Sequence, residues 1–120
     1  MQSVGIDTEA IVTPETRREL ATEVASAVEW DLFEGLALSP EQCFSLVFSA
    51  KEAFYKCCYP LVKTYFGFEH GIIEGVDATT IRVRTPKSHP RFGDMPNSLD
   101  VHYLVSAQDV FCATWLEPRQ

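Results

Sequence analysis

Phe48-Ser49-Ala50-Lys51-Glu52-Ala53-Phe54-Tyr55-Lys56 is the stretch on which the fold of this chain turns. It sets Glu52 and Lys56 at i and i+4, so on an α-helix a carboxylate and an ammonium share one face. Upstream, Ser39-Pro40-Glu41-Gln42 is a helix-start signal: Ser as cap, Pro at the first helical position, and Gln three residues on, as in a capping box. The predicted helix runs from Pro40 to about Tyr59, where Pro60 kinks or ends it. Phe44, Val47, Ala50, Phe54 and Cys57 or Cys58 with Leu61 trace one apolar face. Lys51, Glu52, Tyr55 and Lys56 fall toward another.

Further upstream, Ser3 to Asp7 reads as a short strand. Asp7 and Glu9 are two apart in Gly5-Ile6-Asp7-Thr8-Glu9, so they share a face if the strand continues through Glu9. Thr13-Pro14-Glu15 starts a helix expected to reach about Glu29, and Asp31 to Leu38 is a candidate second short helix. After Gly67 the texture changes. The runs 71–76, 80–84, 101–105 and 110–115 alternate or are β-branched, as strands are. Ala107-Gln108-Asp109 suits a hairpin turn, and Thr85 to Ser98, with three prolines and one glycine, is a loop. The order predicts an α+β domain over residues 1–120, with a long helix packed on an antiparallel sheet.

A chain of 120 residues with 46% apolar and 22% charged residues has the composition of one globular domain. No run is long enough to span a membrane and no signal-like segment stands at the start, so a soluble, cytoplasmic protein is expected. The four cysteines form no C-x-x-C and no zinc pattern, and read as buried thiols. A net charge of −7 argues against nucleic-acid binding. Any phosphate site must therefore be built from local cations: Lys51, Lys56, and Lys63 or Arg91. His70, His89 and His102 form no catalytic pattern.

Asp7, Glu9, Glu52, Lys51 and Lys56 together have the composition of a metal-assisted phosphoryl-transfer site, with carboxylates for one Mg²⁺ and ammonium groups for a phosphate. The bland alternative makes Asp7 and Glu9 solvent-facing acids at a strand end. It makes Glu52–Lys56 a surface helix pair worth roughly 0.2–0.5 kcal/mol.

Two stretches resemble a known family. Val4-Gly5-Ile6-Asp7-Thr8-Glu9 is similar to the "GIDIE" signature of 4′-phosphopantetheinyl transferases, with Thr8 in place of an aliphatic residue. Phe48 to Lys56 resembles their "(W/F)-S/T-x-K-E-x-x-x-K" signature. Phe48, Ser49-Ala50 and Tyr59-Pro60 resemble the branch serving enterobactin-type siderophore synthetases. The resemblance implies one half, the C-terminal type, of a pseudo-dimer; nothing like the Ser-x-x-His signature of the other half is found. It implies Asp7, Glu9 and Glu52 as Mg²⁺ ligands, Lys56 as a contact to the pyrophosphate of coenzyme A, and Lys51 as a second phosphate contact. Glu52 is also implied as acceptor of the serine proton of a carrier protein. Three forms remain open at this point: half of a transferase needing a complementary chain, a short self-assembling transferase, or a catalytically silent interaction module.

Overall fold

In the computed structural model, which describes residues 3–117, strand β1 (Ser3–Ala10) is followed by helices α1 (Pro14–Val24), α2 (Ala27–Asp31) and α3 (Pro40–Val62). Strands β2 (Ile72–Val76), β3 (Thr80–Arg84), β4 (Ser98–Val105) and β5 (Asp109–Leu116) complete the chain. The five strands form one antiparallel sheet in the order β1-β5-β4-β3-β2, with α3 packed on one face. This is the expected α+β arrangement. The first strand pairs with the last, so that Val4 lies opposite Trp115 and Asp7 opposite Cys112.

α3 forms where its capping box predicts. Ser39 Oγ accepts from the Gln42 N–H at 3.0 Å, and the Gln42 side chain accepts from the Ser39 N–H at 2.9 Å. Pro60 does not stop the helix, which continues to Val62 and ends at Lys63 in the left-handed region (φ 51°). The earlier helices differ from expectation. α1 ends at Val24 because Ser26 caps a new helix, α2, and Glu29 closes a second capping box on it. The stretch expected as a helix from Asp31 to Leu38 is mainly turn.

α3 lies against β1 through small residues at a spacing of four: Ser45, Ser49, Ala53 and Cys57. Gly5 makes this approach possible, since a Cβ there would stand 1.9 Å from the Ala53 carbonyl oxygen. Hydrogen bonds fix the register. Ser45 Oγ accepts from the Val12 N–H at 3.0 Å, Ser49 Oγ donates to the Asp7 carbonyl at 3.2 Å, and Ser3 Oγ donates to the Cys57 carbonyl at 2.7 Å. Glu52 and Lys56 follow this stripe and are carried to the end of β1 that bears Asp7 and Glu9.

Between helix and sheet, Leu46, Val47, Ala50 and Phe54 meet Ile81, Val83, Val101 and Val110, all fully buried. The loop 85–98 adds Phe92, which is buried and packs edge-on to Phe66 at 5.2 Å. Among the described residues, no element covers the other sheet face. Val4, Ile6, Leu104, Phe111 and Trp115 lie on it at alternate positions, 38–72% exposed.

Candidate functional site

β1 extends through Glu9 to Ala10, so Asp7 and Glu9 do share a face, the one turned toward α3. Lys56 Nζ reaches over from α3 to donate to Asp7 Oδ1 at 2.7 Å and to the Ile6 carbonyl at 3.3 Å. The Asp7 side chain is only 5% exposed, yet its second oxygen, Oδ2, is buried with no hydrogen-bond partner among the described residues. An orphaned carboxylate oxygen in a buried position is costly and calls for a positive or protonated neighbour.

The nearby carboxyls respond to this crowding. The Glu9 pKa is pushed up to about 7, first by burial, then by its contact with Asp7 and by the charges of Asp7 and Glu52; Lys56 opposes the shift. Glu52 is also raised, first by burial and then by the Asp7 charge, again against Lys56. Lys56 is held above its ordinary value, chiefly by the hydrogen bond from its ammonium to Asp7. Three carboxylates thus share one ammonium.

The donor set suits a hard divalent cation such as Mg²⁺: all the available ligands are oxygen, one is unpaired, and the local charge is negative. Asp7, Glu9 and Glu52 are the residues that would hold it. Among the described residues, no three acidic, histidine or cysteine side chains already stand as a ligand cage. Asp7 and Glu9 are in contact and Glu52 is near enough to repel both, but the three are not closed around a point. Rotation of side chains, with water or phosphate oxygens, would have to complete the sphere.

Lys51 does not join this group. Its side chain is 2% exposed, and its ammonium donates to Glu29 Oε2 at 2.8 Å, to the Val24 carbonyl at 2.8 Å and to the Phe68 carbonyl at 3.0 Å. All three protons are used, so Lys51 has none to offer a phosphate in this arrangement. The ammonium is occupied within the fold rather than turned toward the acid cluster. The physical reason is a buried carboxylate, Glu29, delivered by the unrecognised capping box Ser26-Ala27-Val28-Glu29. That spacing was the available signal.

Beside Glu52 opens a cavity of about 220 Å³, lined by the stem of Lys51 and by Tyr55, Tyr65, Phe66, Phe68 and Gly71 among others. Tyr55 packs on Phe66 at 4.8 Å and stacks with Tyr59 at 5.5 Å, while Tyr65 is 82% exposed at the rim. The site therefore joins an anionic cluster with a cation to a cavity lined largely by aromatic residues.

Compared with known protein families, residues 3–114 match the 4′-phosphopantetheinyl transferase superfamily. The chain belongs to that superfamily. Enterobactin synthase component D of Salmonella typhi is 35% identical over 80 residues, a match covering 67% of this chain and 34% of that protein. The chain therefore spans about a third of the length of this relative. Among solved structures, an ACPS–CoA complex from Chronobacterium ammoniagenes superposes with a TM-score of 0.71 over 100% of this chain and 99% of that one. At 14% identity this likeness establishes the shared fold. No helix among the described residues is long and apolar enough to cross a membrane.

Proposed function

We propose that this chain carries the metal- and pyrophosphate-binding site of a 4′-phosphopantetheinyl transferase. It would act in the cytoplasm on carrier proteins of siderophore, non-ribosomal peptide or polyketide biosynthesis. The reaction moves phosphopantetheine from coenzyme A to a carrier-protein serine and releases adenosine 3′,5′-bisphosphate. The observation that carries this reading is the charge imbalance at Asp7, Glu9, Glu52 and Lys56, with Asp7 Oδ2 buried and unpartnered. Superfamily membership of residues 3–114 supports it.

Lys56 is half exposed, so its ammonium can move from Asp7 to a pyrophosphate oxygen and hold charge on the departing side. Mg²⁺, when bound by Asp7, Glu9 and Glu52, would supply charge neutralisation at the same pyrophosphate. The raised pKa of Glu52 makes it a stronger base than an ordinary carboxylate, suited to take the serine proton directly or through water. The cavity beside Glu52 has the mixed character of a pantetheine arm, which carries a gem-dimethyl group and two amides.

The uncovered sheet face with Val4, Ile6, Leu104, Phe111 and Trp115 supports a complementary N-terminal half or a second copy as partner. The same face favours one second reading, a catalytically silent interaction module. Coenzyme A binding that depends on Mg²⁺ separates the two. The decisive experiment follows a carrier protein by mass spectrometry, with the complementary half supplied or with an oligomer shown to be active. Glu52→Gln and Lys56→Ala should each lower transfer by roughly 100-fold or more while the fold persists. Parent-like transfer by both variants would reduce Glu52–Lys56 to a helix-stabilising pair. Absence of Mg²⁺-dependent coenzyme A binding would favour the silent module.

A further inference from the structure

The ion pair of Glu29 and Lys51 stands apart from the acid cluster and does a different job. Its side chains are 6% and 2% exposed. At such depth the Coulombic attraction is offset by desolvation, so the remaining lone pairs and protons decide what the pair does. Glu29 Oε1 accepts from the Ser26 N–H at 2.9 Å and closes the start of α2. Glu29 Oε2 accepts from the Ile73 N–H of edge strand β2 at 2.9 Å as well as from Lys51. Lys51 Nζ donates to the Val24 carbonyl at the end of α1 and to the Phe68 carbonyl. One pair of side chains thereby binds α1, α2, α3, β2 and the turn Phe68–His70.

The last of these contacts bears on the cavity. Between α3 and β2 the chain has no regular structure except that single 3₁₀ turn. The same segment supplies Tyr65, Phe66, Gly67, Phe68 and Gly71 as one wall of the 220 Å³ cavity; Glu52, Phe54 and Tyr55 form the other. The fit is close, because a Cβ on Gly71 would lie 3.0 Å from the Phe54 ring. Lys51 and Glu52 are consecutive on α3: one side chain turns inward to pin the opposite wall, the next faces the acid cluster.

The geometry points to Glu29 and Lys51 as positioning residues that latch the segment from Phe66 to Gly71 against α3 and so hold the cavity beside Glu52 in shape for the uncharged pantetheine arm of the donor. The identity of that ligand rests on the function proposed above; the latch itself does not.

Lys51→Met keeps most of the unbranched side chain and removes its three donors. Hydrogen exchange by mass spectrometry should show the amides of residues 66–71 opening at least tenfold faster by local opening, while those of residues 52–58 follow only the loss of global stability. By calorimetry, pantetheine should bind at least tenfold more weakly and inorganic pyrophosphate with Mg²⁺ as tightly as before. Should Lys51→Met yield little folded protein, the double variant Glu29→Leu/Lys51→Met removes the stranded carboxylate and is expected to show the same two changes. Unchanged exchange over residues 66–71 in either folded variant overturns the latch. Loss of pyrophosphate binding with pantetheine binding intact also overturns it and returns Lys51 to a phosphate contact. If the parent chain binds neither probe, the proposed function fails, and the exchange measurement alone decides the latch.

Discussion

Lys51 and Lys56 lie on the same helix, within one and a half turns of each other, and are built into opposite kinds of site. Lys51 meets one carboxylate, and every proton of the ammonium and both oxygens of Glu29 are bonded. Lys56 is 48% exposed and meets three carboxylates, one of them with an unpartnered oxygen. A buried charge that is fully matched gives the fold a unique arrangement and leaves nothing over for a ligand. A cluster short of positive charge costs stability and holds binding capacity in reserve, which is why perturbed carboxyls in a concave place point to function. Substitutions at the two lysines should therefore separate stability from activity.

The largest effect is expected from breaking the matched pair. Lys51→Met strands Glu29 as a buried charge, and unfolding by urea should show a loss of roughly 3–5 kcal/mol. Burial pushes the Glu29 carboxyl up, but hydrogen bonds from Ile73, Lys51 and Ser26 outweigh it and hold it below its ordinary value. That is the signature of a charge dependent on its partners. Glu29→Leu/Lys51→Met should recover most of the loss, because removing both charges is far cheaper than removing one. Equal losses in the single and double variants would mean that packing, and not charge, holds this junction.

This contrast also shows how much was legible in the sequence. Elements marked by local chemistry were legible: the Ser39 capping box, the strands after Gly67 and the turn at Ala107-Gln108-Asp109 all have local signals, and the structure has α3, four strands and the β4–β5 hairpin there. The extent of β1 was less so, because its last residues are ordered by pairing with β5, a partner at the far end of the chain. The surroundings of Lys51 were illegible for a similar reason. Helical spacing separates one face from another, but it does not report a carboxylate arriving from α2 to bury a lysine on the face expected to be polar. The proximity of Asp7 and Glu9 to Lys56 was suggested by motif, while its physical cause, Gly5 beneath Ala53 and Cys57, required the packed structure.

A smaller, pH-dependent effect should come from the unmatched cluster. Glu9 has its pKa raised from 4.5 to about 7 in the folded chain. Between those values the folded state keeps a proton that the unfolded state has released, so stability should fall as pH rises from about 4.5 to about 7. Glu9→Gln cannot ionise and should flatten this part of a plot of melting temperature against pH. Mg²⁺ at pH 8 should raise the melting temperature of the parent and do so less at pH 6, because bound metal competes with the Glu9 proton. A melting temperature that climbs across this range in the parent would contradict the charge crowding.

The smallest change in stability is expected at Lys56, and that is what makes it informative. Its side chain is half exposed, so water can replace the ammonium beside Asp7 and the Glu9 proton can be shared with Asp7; Lys56→Met should cost less than Lys51→Met, about 1–2 kcal/mol. Part of even that loss is returned by freeing a long side chain. The carboxyls should register the change more clearly than the fold does. Lys56 lowers the pKa values of both Glu9 and Glu52, so its removal should move Glu9 above its present value of about 7 and Glu52 further above the ordinary carboxylate range. Direct titration by carboxyl-labelled NMR reads both shifts. Mg²⁺ binding should then persist, with its onset moved to higher pH, while pyrophosphate binding weakens for want of the ammonium. Lys51→Met should do the reverse, with a large loss of stability and the acid titrations left in place. If Lys56→Met instead unfolds the protein with no upward movement of Glu9 or Glu52, the two lysines are equivalent structural ties, and the division between a matched and an unmatched site fails.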